Sequence, residues 1–101
     1  MGKLLGIYVS SEKYLDQIIQ LCRAAKKKEV GVRIFFTHNG TRLCTDPRLK
    51  ELEGLATVAL CKVGFEANAL EPKDAKVEEK AFLSQSWHAE MIYDCDRYLV
   101  F

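Results

Sequence analysis

Leu55-Ala56-Thr57-Val58-Ala59-Leu60-Cys61-Lys62-Val63-Gly64-Phe65-Glu66-Ala67-Asn68-Ala69-Leu70 decides the fold of this chain. Its first seven residues are an apolar run that reads as a buried strand, and the next nine read as the start of a short helix. A strand feeding a helix is the unit of an open α/β sheet, where chemistry collects at the carboxyl ends of the strands. Cys61 stands at that junction. A thiol there faces the positive end of a helix dipole with Lys62 beside it, and both favour the thiolate, the reactive form. The competing reading is a small apolar residue completing a core strand, because free cysteine is among the most buried residue types.

The same alternation of strand and helix extends in both directions. Met1-Gly2-Lys3-Leu4-Leu5-Gly6-Ile7-Tyr8-Val9 has one lysine before its apolar residues and reads as a first strand, being too short for a signal peptide. Ser10 or Ser11 is available to cap the helix that follows. Tyr14, Leu15, Ile18, Ile19, Leu21, Cys22 and Ala25 recur at helical spacing through about Lys28, which places Cys22 in the core. Val30 to Phe36 is β-branched and aromatic and reads as the second strand. Thr37-His38-Asn39-Gly40-Thr41 is a turn signal, and Thr45-Asp46-Pro47 starts a short helix running to Leu55. Beyond the third strand, Glu71-Pro72-Lys73-Asp74-Ala75-Lys76 reads as a surface loop. Ala81-Phe82-Leu83 reads as a short fourth strand, Ser84-Gln85-Ser86 caps a helix through about Cys95, and Arg97 to Phe101 is a final strand. The expected architecture is a three-layer α/β/α domain spanning residues 1–101, with a mainly parallel sheet of about five strands.

Composition narrows the function. The 101 residues are 49% apolar with a formal net charge of +1, an ordinary soluble globular balance without the electrostatic footprint that nucleic acid requires. The one basic run, Arg23 to Lys28, complements the end of the first helix. No apolar stretch approaches the length of a membrane span. These features point to a cytoplasmic protein without nucleic-acid or membrane partners. Cys22, Cys44, Cys61 and Cys95 then occupy a reducing compartment, and no two have the C-x-x-C spacing of a redox or zinc site. His38 and His88 are isolated, so no local metal site is expected.

Phosphate-binding glycine motifs and the G-x-S-x-G nucleophile motif are absent. Cys44 lies in the loop after the second strand, at the same sheet edge as Cys61. It is a candidate second thiol, or a loop residue packed under the short helix. His38, in the same loop, is a candidate with Lys62 for stabilising the Cys61 thiolate, or an ordinary turn residue. Cys95 reads as structural, on the core side of the last helix.

Two segments carry a family resemblance: Ala56-Thr57-Val58-Ala59-Leu60-Cys61, and Ala81-Phe82-Leu83-Ser84 through Asp94-Cys95-Asp96-Arg97-Tyr98-Leu99-Val100-Phe101. The first resembles the strand ending in the sulfur-accepting cysteine of the DsrE/DsrF/DsrH family of small sulfur-relay proteins, which includes the TusBCD proteins. The second is similar to that family's closing helix and its D-R-hydrophobic ending. The resemblance implies a three-layer α/β/α fold and trimers or hexamers, formed by one chain or with related subunits. It also implies a cysteine that carries persulfide sulfur between donor and acceptor proteins without a cofactor or metal. Only Cys61 occupies the matching position. The chain departs from the pattern at Phe65-Glu66-Ala67-Asn68, where carriers often have an alanine-rich turn and R-G, and it is shorter before the last helix. Some members lack the cysteine and serve as structural subunits, so an oligomeric scaffold with an inert Cys61 is the alternative. Val63, Phe65 and Leu70 are candidates for a sheltering subunit interface.

Overall fold

Side chains along a strand alternate between two faces, and a strand that is apolar on both needs cover on both sides. The computed structural model, which describes residues 3–101, supplies that cover. In chain order the elements are β1 (Leu4–Val9), α1 (Leu15–Lys27), β2 (Gly31–Phe36), 3-10 helices at His38–Thr45 and Pro47–Leu52, and β3 (Thr57–Cys61). Then come α2 (Lys62–Ala67), 3-10 turns at Pro72–Asp74 and Glu79–Ala81, β4 (Phe82–Leu83), α3 (Gln85–Asp94) and β5 (Arg97–Val100). The five strands form one sheet in the order β4-β3-β2-β1-β5, and every neighbouring pair is parallel. Helices on both faces make this the three-layer α/β/α architecture expected from the sequence.

The two faces are unequal. On one, Leu5, Ile7 and Val9 of β1, Val32, Ile34 and Phe36 of β2, and Leu60 of β3 pack against α1, α2 and the two longer 3-10 helices. Leu15, Ile18, Ile19, Cys22 and Ala25 are the buried stripe of α1, as the helical spacing predicts. On the other face α3 is the one helix among the described residues that covers the sheet, and its cluster is Phe35, Ala59, Cys61 and Met91, with Tyr8, Leu83 and Trp87 packed against it. Strand alternation therefore aims Leu60 at the α1 side and Cys61 at the α3 side.

Several boundaries differ from expectation. α1 begins at Leu15 with Tyr14 at its N-cap and no side-chain cap; the Ser10 hydroxyl donates instead to the Phe101 carbonyl, and Ser11 Oγ accepts the Lys13 N–H. Both serines lie too far upstream to reach the helix. The region expected as a turn and a short helix is two 3-10 helices. The first passes close over the end of β1, where a Cβ on Gly40 would fall 2.2 Å from the Val9 carbonyl oxygen. The second starts where Asp46 accepts the Arg48 N–H ahead of Pro47, as the Thr45-Asp46-Pro47 signal predicts. β3 begins at Thr57 because Leu55 and Ala56 N–H groups bond back to Leu52. Cys95 is half-buried at the C-cap of α3, its sulfur where a Gly6 side chain would lie (3.0 Å from an added Cβ), which fits a structural residue. Met1 and Gly2, read as part of the first strand, lie outside the described residues.

Candidate functional site

β3 ends in the sheet at Cys61, whose extended backbone makes it the N-cap of α2. N-cap side chains are usually oxygen acceptors for the first free helix N–H groups. Here sulfur takes that place: the Gly64 N–H donates to Cys61 Sγ at 3.4 Å. The first turn of α2 thus presents a backbone N–H donor directly to the sulfur. The register Cys61↔Leu83 places β4 alongside, and Ser84 caps α3 immediately beyond it.

These carboxyl ends enclose an open cleft of about 810 Å³. Cys61, Lys62, His38 and Val63 line it together with Leu83 and Gln85. The walls are largely apolar. Of these lining residues Cys61 is buried, at 8% exposure, whereas Val63 is 74% exposed. Across the cleft, the Gln85 side-chain amide donates to Thr37 Oγ1 at 3.3 Å, tying the start of α3 to the end of β2. An apolar cleft with a few directed polar groups is the usual form of a binding site.

Three of the four residues singled out from sequence thus share one site: Cys61, Lys62 and His38. Among the described residues the His38 ring makes no hydrogen bond to the thiol; the His38 contacts run through its carbonyl. Cys44 is not brought to the cleft. It is wholly buried with Leu43, Leu49 and Leu52 on the α1 side, and burial pushes its thiol far above the ordinary range. Of the three residues expected at an interface, Phe65 is fully buried and Leu70 packs against the core, which leaves Val63 alone exposed. Sequence reasoning missed Thr37, Gly64 and Gln85. The Ser84 cap signal places Gln85 at a helix start, but nothing local connects it to residue 37.

No cluster of three or more histidine, cysteine, aspartate or glutamate side chains suited to a metal ion occurs among the described residues. No helix among them is long and apolar enough to cross a membrane. Scanned against protein-family models and against curated protein sequences, the chain matches none of them.

Proposed function

We propose that this protein is a small sulfur-relay protein in which Cys61 accepts persulfide sulfur and passes it on. The observation that carries the reading is Cys61 lining an apolar cleft with the Gly64 N–H donating to its sulfur. The thiolate attacks the outer sulfur of a donor persulfide. A new S–S bond forms at Cys61 as the donor's S–S bond breaks, and the electron pair leaves with the donor sulfur as a thiolate. The proton released by Cys61 balances the one that the donor thiolate regains. Delivery is the same exchange with an acceptor thiolate as nucleophile, so neither step needs a cofactor, metal or external oxidant. Low exposure protects a persulfide from oxidation, and the open rim at Val63 and Lys62 leaves a path for donor and acceptor proteins. The four free thiols fit a reducing cytoplasm.

A second reading, an oligomeric binding or scaffold subunit with an inert Cys61, draws support from the opposite edge of the sheet. β5 is exposed along its whole length, with Tyr98 and Val100 on the α3 face of the sheet and Leu99 on the other, and Ile92 and Tyr93 of α3 are exposed as well. An unpaired edge strand with exposed apolar side chains is a place for another chain to pair. It also suits the trimer or hexamer that the family resemblance implies.

Intact-protein mass spectrometry after incubation with a persulfide-loaded donor separates the two. Wild type gains the mass of one sulfur atom, removable by a reductant, and Cys61→Ser gains none. Absence of uptake by wild type, with loading of the donor confirmed, leaves the scaffold reading.

A further inference from the structure

The turn after β2 is tied to α2 mainly through Asn68, with the Thr41 hydroxyl also 3.5 Å from the Gly64 carbonyl. Asn68, the C-cap residue of α2, donates from Nδ2 to the His38 carbonyl at 2.7 Å and to Thr41 Oγ1 at 2.8 Å, while its Oδ1 accepts from Arg42 at 3.2 Å. Thr41 is fully buried, and its hydroxyl donates to the same His38 carbonyl at 2.8 Å. The backbone held in this way is unusual: His38 has φ +47° without being glycine. Such conformations persist only where the surroundings impose them, and they collect at functional sites. Against this turn lies Gly64, where an added Cβ would come within 3.2 Å of the His38 nitrogen. Gly64 is also the residue whose N–H meets Cys61 Sγ. A continuous set of contacts therefore runs from Asn68 through the His38 turn to the amide on the thiol.

We infer that Asn68 is a positioning residue for the Cys61 thiol. By holding the left-handed His38 turn against the first turn of α2, it keeps the Gly64 N–H on Sγ. It touches neither sulfur nor substrate. The inference rests on the reading of Cys61 as a reactive thiol, and it adds the residue that sets that reactivity from the far end of α2.

The test is the pH–rate profile of Cys61 alkylation by iodoacetamide, mapped by mass spectrometry in wild type, Asn68→Ala, Thr41→Val and Thr41→Ser, with thermal unfolding of each. Asn68→Ala and Thr41→Val move the profile to higher pH by about one pH unit, which is about tenfold in rate on its lower limb. Thr41→Ser, which keeps the hydroxyl, restores the wild-type profile. Because Thr41→Val also removes the hydroxyl's own bonds to the His38 and Gly64 carbonyls, Asn68→Asp, which loses the Nδ2 donor but keeps an acceptor for Arg42, carries the test if Asn68→Ala does not fold, with the same shift expected. A lower thermal midpoint with an unmoved profile in folded Asn68→Ala and Thr41→Val would make Asn68 a helix cap only and overturn the inference. Native wild-type Cys61 that resists alkylation overturns the reactive-thiol reading and this inference with it. Alkylation uses no sulfur donor, so a shifted profile beside absent sulfur uptake supports the positioning role while sinking the relay.

Discussion

Cys61 and Cys44 both lie at the carboxyl edge of one sheet and both are buried, yet only Cys61 lines a cleft. Cys61 closes β3 itself, so strand alternation aims it at the thinly covered α3 face, where the edge opens into a cleft. Cys44 comes eight residues after β2 in a 3-10 helix that folds back over the thickly covered face, and it is sealed among leucines. The relative exposures are 8% and 0%. Position at the reactive edge of an α/β sheet is therefore not enough to make a thiol available. The face it points to, and what covers that face, decide.

The largest expected contrast is kinetic. In the native protein Cys61 should be alkylated on the order of a hundredfold faster than Cys44 or Cys22, which react only through opening of the core. In denaturant all three should react alike, and peptide mapping over time reads both states. Comparable native rates would dissolve the distinction between the two regions.

Stability should reverse the order. Cys44→Ser places a hydroxyl in an apolar cluster and should cost about 1–3 kcal/mol in urea unfolding. Cys61→Ser substitutes a favoured N-cap residue at the head of α2 and should cost less than about 0.5 kcal/mol. Equal losses would mean that Cys61 serves packing as much as Cys44 does.

The smallest effect at neutral pH is the most specific. Burial pushes the Cys22 thiol up from 9.0 to about 11, and Cys44 shifts in the same direction. The folded state then holds protons that the unfolded chain releases, so this stability is fully present below pH ~9 and is lost as pH rises toward ~11. For Cys22 the loss approaches about 2–3 kcal/mol. Cys22→Ala should flatten this part of the stability curve. A curve unchanged by Cys22→Ala would contradict the burial argument.

Much of this architecture was legible in the chain. Apolar runs located all five strands, the stripe from Leu15 to Ala25 defined α1, and Asp46 and Ser84 marked real helix starts. Residues 38–52 were less legible. Whether such a segment forms an α-helix, a turn or a 3-10 helix depends on the surface over which it runs, and Gly40 against Val9 is a tertiary contact. The Ser10 and Ser11 cap signal failed because the chain stays extended at β1's end, where Ser10 bonds to Phe101, ninety-one residues away.

The sequence by itself determined that a thiol would end a buried strand and begin a helix, because apolar periodicity and side-chain alternation are local properties. It also determined that Cys22 would be core. Only the tertiary structure decided that His38, Thr41 and Asn68 would meet beside the helix that follows that thiol, that Gln85 would reach Thr37, and that Cys44 would be sealed away. Those outcomes depend on parallel register and on which elements cover each face. Such relations join residues tens of positions apart, and no local pattern in the chain encodes them.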